Sequence, residues 1–325
     1  MFKINVLIKI VAFLPLTSLA AWATAQPYPA RPIRVLIPFT AGSAADIIAR
    51  AMEPQMHERL GQPLVIDNRG GAGGNIAAEL TAKSTRDGYT VMMATIGTHA
   101  INHSLYSKLP FHPLRDFTPI GLVGESPNVL VIHPRVPAGS IQELIALARA
   151  RPGELNYGSS GAGTSVHLSA ELFNTMAGVK TVHVPFKGAS EALAALLGGQ
   201  TDFMFASLSS SIPLIKAGKL KAFAVTGGRR SPSIPELPTV AEAALPGFAA
   251  VAWYGFVGPA DIPKSAVAAL NEAATAALGT PEVKNRLFAS GVEVRTSTPE
   301  QFAVFIKTEM EKWARVVKAS GAKAD

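Results

Sequence analysis

Short apolar runs alternate along this chain with longer segments in which apolar residues return every three or four positions. The first pattern is typical of buried strands and the second of amphipathic helices. Strands are expected at 33–39, 64–68, 90–95, 128–133, 155–160, 181–186, 202–207, 221–226 and 251–259. Helices are expected at 43–60, 75–84, 140–150, 165–177, 189–198, 209–217, 263–278, 281–290 and 299–319.

Strands that alternate with helices predict an α/β fold with largely parallel sheets and helices on both faces. Pro54 falls inside the first helical pattern and is expected to kink or split it. The chain ends in helices after the strand at 251–257, so we expect it to return to its first lobe. This predicts one lobe from 26–126 and 250–325 and a second from 127–249, with hinges at 124–128 and 248–252.

Residues 1–25 resemble a secretory signal. Lys3 and Lys9 precede an apolar stretch, and an A-x-A cleavage pattern ends at Ala25. The apolar run is about 13 residues long and contains Pro15, whereas a membrane-spanning helix needs about 20 apolar residues. We therefore expect cleavage near Ala25 and export of a soluble mature protein.

Composition excludes several classes of function. The chain has no cysteine, so disulfides, thiolate catalysis, cysteine-ligated metals and lipidation on an N-terminal cysteine are impossible. Its formal net charge of +7 falls to +5 when Lys3 and Lys9 leave with the signal (7 − 2 = 5). The remaining basic residues are scattered, which argues against a nucleic-acid partner.

Two glycine-containing loops lie between a strand pattern and a helix pattern, in "LIPFTAGSAADIIARAM" (36–52) and "LNYGSSGAGTSVHLSAELF" (155–173). Small residues allow close approach to the backbone, and the first N–H groups of a helix lack intrahelical partners. Such a terminus binds an anion without a cationic side chain. Ser43, Thr164 and Ser165 would add hydroxyl donors.

Ser43 and Asp46 also fit a capping box, in which the acid reaches back to the N–H of Ser43. Both interpretations are compatible, because a capped turn would present the backbone at 41–43 to a ligand. A carboxylate at position 46 would repel a polyphosphate. The loop therefore favours a ligand with one carboxylate, held by several N–H groups.

Catalytic and metal-binding motifs are not met. No glycine loop ends in Gly-Lys-Ser/Thr, neither G-x-G is completed as a dinucleotide fingerprint, and Gly158–Gly161 lacks the spacing of a nucleophile elbow. His99 and His103 have no nearby carboxylate in sequence, so we expect no metal, and no cofactor is indicated. We expect His167 and His183 to be buried polar residues. Trp253 and Tyr254 fit either the core or a ligand wall.

The motifs taken together resemble a known family. "YPARPIRVLIPFTAGSAADIIAR", "GQPLVIDNRGGAGGNIAAE", "DGYTVMMATIGTHAIN", "DFTPIGLV", "YGSSGAGTSVHLSAELF", "HVPFKG", "LPTVAEA" and "EKWARVVKASG" occur in this order. They are similar to the Bug-type substrate-binding proteins, the receptors of tripartite tricarboxylate transporters. The resemblance covers residues 28–321.

This resemblance implies a two-lobed periplasmic-binding-protein fold, type II-like, that closes on a small carboxylate in the cleft between its lobes. It implies a periplasmic, non-catalytic receptor, which we expect to be a monomer whose partners are the acid and a transporter's membrane subunits. The ligand-binding residues that we carry over or add as candidates are Phe39, Thr40, Ala41, Gly42, Ser43, Asp46, Thr95, Thr98, Ser159, Ser160, Gly161, Gly163, Thr164, Ser165, Phe186 and Ala206.

The sequence departs from the family pattern in two places. Gly42-Ser43 stands where the family has Gly-Gly, which adds a hydroxyl donor. Ala206 stands where the family often has an acid, which argues against an amino-acid ligand and for an uncharged, hydroxylated or aromatic acid. A sensing subunit uses the same ligand-driven closure and stays open as an alternative. A serine hydrolase built on 159–165 is the less favoured one.

Overall fold

The computed structural model describes residues 28–324, so the predicted signal segment lies outside the described residues. Within them the strands are β1 (Ile33–Ile37), β2 (Leu64–Asn68), β3 (Thr90–Thr95), β4 (Phe117–Ile132), β5 (Asn156–Ser159), β6 (Val182–Pro185), β7 (Phe203–Ser207), β8 (Lys221–Val225), β9 (Val251–Pro259) and β10 (Glu293–Val294). The helices are α1 (Ala44–Leu60), α2 (Asn75–Ala82), α3 (Asn102–Leu105), α4 (Ile141–Ala150), α5 (Ser165–Ala177), α6 (Ala189–Leu197), α7 (Leu208–Lys216), α8 (Val240–Ala243), α9 (Lys264–Gly279), α10 (Pro281–Ala289) and α11 (Pro299–Ser320).

The strands form one continuous sheet in the order β2-β1-β3-β9-β4-β7-β5-β6, with β8 and β10 both pairing with β4. Pairs at the two ends are parallel: β1 with β2 and β3, and β5 with β6 and β7. Pairs in the middle, made by β4 and β9, are antiparallel. The expectation of largely parallel sheets is therefore wrong for the centre, where two long strands run between the halves of the molecule.

Strand β4 joins those two halves. From Phe117 to Pro127 it pairs with β9, and from Asn128 to Ile132 it pairs with β7 and β8. Thr226 donates its N–H to the Asn128 carbonyl and accepts the N–H of Ala250, at 2.8 and 2.9 Å. The chain thus crosses between the halves at two adjacent points, near Asn128 and Ala250.

Helix α1 runs from Ala44 to Leu60 without a break, so the expected split at Pro54 is wrong. Pro54 is exposed, and the hydrogen bond it cannot make lies on the solvent side of the helix. The helix instead ends at Gly61, which adopts a left-handed conformation with φ of 66°. The buried face of α1 contributes Ile48, Met52 and Met56 to the main core.

Helix α11 closes the first half of the molecule. Trp253 on β9 and Trp313 on α11 both donate their indole N–H to Glu309 Oε2, at 3.2 and 3.1 Å. Trp253 also packs edge-on against Phe302. Trp253 is thus a core residue, which decides between its two interpretations. Among residues 28–324 no helix has the length and hydropathy to cross a bilayer.

Candidate ligand-binding site

Two strand–loop–helix units, β1 to α1 and β5 to α5, bring their loops together at a cavity of about 30 Å³. The cavity lies at the carboxyl ends of parallel strands, where open α/β sheets place their ligands. Its lining consists of Phe39, Ser43, Ala44, Ala45, Thr95, Ile96, Gly97, Ser160, Thr164, Ser165, Ala189, Ser207, Ala252 and Tyr254. No residue of this lining carries a charged side chain.

The first loop is fixed by the cap of α1. Ser43 is the N-cap, with extended backbone angles, and its Oγ accepts the N–H of Asp46 at 3.4 Å. Asp46 Oδ2 accepts the N–H of Gly42 at 2.9 Å, whereas the sequence predicted the N–H of Ser43. Ser43 donates its N–H to the Thr40 carbonyl instead. The turn is held as expected, but the acid reaches one residue further back.

Asp46 belongs to the support of the loop. Its other carboxylate oxygen accepts Arg50 Nε at 2.9 Å and Asn68 Nδ2 at 3.1 Å. Burial by itself raises the pKa of Asp46, but the hydrogen bonds from Arg50, Gly42 and Asn68 outweigh it and lower the pKa below the ordinary value of 3.8. The group is therefore a carboxylate near neutral pH. It lies outside the cavity lining.

The second loop is fixed in the same way by the cap of α5. Thr164 is the N-cap; its Oγ1 accepts the N–H of His167 at 3.3 Å and donates to the Gly161 carbonyl at 2.8 Å. Its hydroxyl proton is therefore already used, which corrects the expectation of a free donor at Thr164. Gly163 donates its N–H to His167 Nδ1 at 3.2 Å.

Two neutral histidines support this loop. His183 Nε2 lies 2.6 Å from Ser159 Oγ, and the His167 and His183 rings stack at 4.1 Å. Burial lowers the pKa of His183 to about 4; burial, and then the neighbouring His183, lower that of His167 to about 3. Gly163 donates its N–H to the neutral His167 ring, which holds the loop as a hydrogen-bond acceptor, and the Ser159–His183 hydrogen bond ties the loop to β6.

The Ser159–His183 pair lacks the features of an activated nucleophile. No described carboxylate bonds to the other ring nitrogen of His183, and Ser159 is fully buried and also accepts the N–H of Gly161 at 3.1 Å. The pair fixes the turn instead. Within residues 28–324 no three His, Asp or Glu side chains are grouped as a metal site.

The cavity is surrounded by unused hydrogen-bond donors. In the described part of the chain the N–H groups of Ala44, Ala45 and Ser165 have no partner, as expected for the first turn of α1 and of α5. The hydroxyls of Ser160, Ser165, Ser207 and Tyr254 make no hydrogen bond to another described residue. Both helices also direct the positive end of their dipole toward this space.

The structure brings six of the predicted site residues to the cavity: Phe39, Ser43, Thr95, Ser160, Thr164 and Ser165. Eight others lie in the two loops or directly behind them, where they shape the turns: Thr40, Ala41, Gly42, Asp46, Thr98, Ser159, Gly161 and Gly163. Thr98, for example, hydrogen-bonds through Oγ1 to the Thr95 carbonyl at 3.2 Å and lies within 2.9 Å of His99 Nδ1.

The remaining two predicted residues lie elsewhere. Phe186 lines a separate cavity of about 420 Å³, with Gly161, Ala162 and Lys187. Ala206 is fully buried and packs in the smaller hydrophobic core. Because side chains alternate along a strand, Ala206 points away from the cavity and its neighbour Ser207 points toward it. The inference against an amino-acid ligand, drawn from the absence of an acid at position 206, therefore has no support in the structure.

The sequence-based list omitted Ala44, Ala45, Ile96, Gly97, Ala189, Ser207, Ala252 and Tyr254. Ala44 and Ala45 were open to prediction, because the same first-turn argument that selected Ser43 applies to them. Ala189, which opens α6, carried no polar signal. Tyr254 fitted either interpretation, and the structure places it on the cavity wall.

Hydrogen bonds across the cleft close it in this structure. Ser190 Oγ donates to the Ala41 carbonyl at 3.0 Å, and Ser210 Oγ donates to the Gly42 carbonyl at 3.1 Å. At the other loop, the Tyr106 hydroxyl donates to the Ala162 carbonyl at 3.2 Å. Residues of each half thus bind directly to the loop of the other, as expected of a closed clamp.

Known proteins share this fold. The family model described as "Tripartite tricarboxylate transporter family receptor" matches residues 48–322. The structure of Rpa4515 from R. palustris with adipate has a TM-score of 0.88 and 38% identity, covering 90% of this chain and 98% of that one. The periplasmic binding protein BugD has a TM-score of 0.87 and 32% identity, covering 91% and 99%. MatC from Rhodopseudomonas palustris with bound malate has a TM-score of 0.86 and 35% identity, covering 89% and 100%.

Proposed function

Because the chain belongs to the tripartite tricarboxylate transporter receptor family, we propose that it is a periplasmic receptor that binds a small organic carboxylate and delivers it to the membrane subunits of such a transporter. Its fold is the two-lobed α/β fold of the periplasmic solute-binding proteins, as the sequence predicted. In this role it binds and releases its ligand without chemical conversion.

One observation carries the proposal. The N-termini of α1 and α5 meet at a cavity where the N–H groups of Ala44, Ala45 and Ser165 have no partner among the described residues, and no cationic side chain belongs to the lining. Backbone donors and two helix dipoles suit a single carboxylate. A single group with more negative charge, such as a phosphate dianion, would leave part of that charge unpaired at these N–H groups.

Two further findings support this function. Rpa4515 and MatC, which share 38% and 35% of their residues with this chain, have adipate and malate bound. The two crossings near Asn128 and Ala250 suit a hinge, so we propose that 26–126 with 250–325 and 127–249 move as two lobes. The signal segment at 1–25 would deliver the receptor to the periplasm.

A thermal-shift titration with adipate and malate tests the proposal. An acid present at about 100 times its dissociation constant is expected to stabilise the protein by about 2.7 kcal/mol. The matched control is the diamide of the same acid, which keeps size and shape but has no carboxylate. Chelator treatment is expected to leave binding unchanged. Equal stabilisation by acid and diamide, or none by any carboxylate of two to eight carbons, would contradict the proposed function.

A further inference from the structure

Tyr254 is a deeply buried residue, but its hydroxyl oxygen is not among the fully buried side-chain atoms without a partner in the described residues, so it borders the open space of the cavity. It is 4% exposed, it lines the cavity, and its hydroxyl has no hydrogen-bond partner in the described part of the chain. Leaving a buried hydroxyl unpaired costs free energy, so such groups are normally satisfied by protein, by water or by a ligand. The other fully described tyrosine of the core, Tyr157, follows that rule and donates to Glu171.

Tyr254 belongs to a different element of the structure from the clamp. It lies on β9, directly opposite Thr95 of β3 in the antiparallel register, and Thr95 also lines the cavity. The clamp, by contrast, is made by the first turns of α1 and α5. The cavity thus has donors from two helix N-termini and a separate phenolic donor from the central strands. Ser207, at the end of β7, adds a second hydroxyl that has no hydrogen-bond partner among the described residues.

The chemistry of the phenol defines what it would bind. Burial raises the pKa of Tyr254 well above its ordinary value of 10.0, so the group stays protonated and acts as a donor. The cavity wall includes the apolar residues Ala252, Ile96 and Ala189, and its other side-chain oxygens are hydroxyls, none of which hydrogen-bonds the Tyr254 hydroxyl among the described residues. An oxygen acceptor on the ligand is therefore the complement of this hydroxyl.

We propose that Tyr254 is a specificity-determining residue that donates a hydrogen bond to a second oxygen function on the ligand, beyond the clamped carboxylate. This inference rests on the proposed function and specifies it further. The preferred ligands are short acids with a carboxylate or hydroxyl oxygen at their far end. Alkyl or aryl monocarboxylates of the same length would leave the phenol unpaired and bind more weakly.

Matched pairs of acids test this inference by calorimetry: butyrate with succinate, hexanoate with adipate, and benzoate with 4-hydroxybenzoate. In the wild-type protein the oxygen-bearing member of at least one pair is expected to bind about 10- to 100-fold more tightly, the range for a hydrogen bond that is lost or left unpaired in a buried site. A preference for succinate or adipate would indicate that Tyr254 binds a second carboxylate, and a preference for 4-hydroxybenzoate would indicate that it binds a hydroxyl.

The Tyr254→Phe variant is expected to remove that preference while keeping the ring in place. Tyr28→Phe is the control, because it also removes a phenolic hydroxyl but one that bonds the Gly88 carbonyl outside the cavity. The ratio of the two affinities within a pair is the measured quantity, since partial unfolding of a variant lowers both affinities equally. A preference that survives in Tyr254→Phe overturns the inference.

The crystal structure of the wild-type protein with its tightest probe gives a second decision that does not depend on the variant folding. Tyr254 Oη is expected within hydrogen-bond distance of a ligand oxygen other than those of the clamped carboxylate. If Oη is unpaired or bonds only to protein, the inference is wrong although carboxylate binding stands. If none of the acids binds, the proposed function fails, and the inference fails with it.

Discussion

The two loops of the cavity are copies of one design, but the residues that support them differ in charge. Gly42-Ser43 is followed by Asp46 and Arg50, and Gly163-Thr164 is followed at the same spacing by His167 and Glu171. Both glycines have positive φ, 78° and 80°, and both cap residues have extended backbone angles. In each loop the third residue of the helix accepts the N–H of the glycine.

The supports differ in charge. Asp46 is a carboxylate held by Arg50 at 2.9 Å, whereas His167 is a neutral ring whose Nε2 lies 4.0 Å from Glu171. The turn thus needs an acceptor at the third helical position and does not need a negative charge there. A neutral acceptor adds no repulsion to a bound carboxylate, and Arg50 offsets the charge of Asp46 in the other loop.

Replacing Gly42 or Gly163 with alanine is expected to reveal the largest difference between the loops, as a difference in affinity for an acid. A Cβ at Gly163 would lie 1.9 Å from Asn102 Oδ1, across the cleft, whereas a Cβ at Gly42 would lie 3.3 Å from Ser190 Oγ. Both variants carry the strain of positive φ, about 1–2 kcal/mol. In Gly163→Ala, overpacking should destabilise the closed state by a further amount of about 1–3 kcal/mol. Calorimetry should detect this as weaker binding of the acid.

Asn102→Ala is the partner for a double-mutant cycle, because it removes the atom that the new Cβ would meet. Affinity in Gly163→Ala/Asn102→Ala is expected to recover relative to Gly163→Ala and to approach that of Asn102→Ala alone. Small-angle scattering at saturating acid should show incomplete closure of Gly163→Ala only. Equal affinity losses in Gly163→Ala and Gly42→Ala would show that the clash is not what limits closure.

The next largest effect concerns the free energy of unfolding at low pH. His167 and His183 have pKa values of about 3 and about 4 in the folded protein, below the ordinary 6.5. The unfolded chain therefore takes up protons first, so their contribution is complete above pH 6.5 and is lost as the pH falls toward 4 and then 3. The pKa of Asp46 is lowered from 3.8, so its contribution is lost only below that pH.

Urea unfolding at pH 7, 5.5 and 4 measures this. The free energy of unfolding is expected to fall by up to roughly 3 kcal/mol for each of these histidines across the range. His167→Gln should reduce the decrease, and Asp46→Asn should leave it unchanged in this window. His99, fully buried with a pKa of about 3, acts in the same direction in every variant, so the comparison isolates the loop. A full decrease in His167→Gln would assign the effect to other groups.

The two loops could be predicted from local sequence patterns, whereas the cavity residues that long-range strand pairing brings to them could not. Both loops were identified from sequence because a strand, small residues and a capped helix are adjacent in the chain. Tyr254 and Ser207 meet the loops only through the register of β9 and β7, which no local pattern reveals. Residues 117–127 contain two prolines and two glycines, and pairing with β9 overrides their weak preference for a strand.

The smallest expected effect distinguishes the two caps. Ser43 Oγ accepts one N–H and makes no other hydrogen bond to the described residues, so its proton is available to a ligand. Thr164 Oγ1 uses both its proton and a lone pair within its own loop. Ser43→Ala should therefore lower the affinity for an acid, by about 1.5 kcal/mol for a hydrogen bond to a charged group.

Thr164→Ala should instead lower stability, by about 0.5–2 kcal/mol for the loss of an N-cap, and change affinity less than about threefold. Calorimetry with adipate and urea unfolding of both variants provide the two quantities, and Thr298→Ala is the control for a cap outside the cavity, at the start of α11. If the two loops differ in this way, only Ser43→Ala should bind adipate more weakly than the control Thr298→Ala does. If Thr164→Ala weakens binding as much as Ser43→Ala does, the Thr164 hydroxyl leaves the Gly161 carbonyl for the ligand, and the two loops act as equal halves of the clamp.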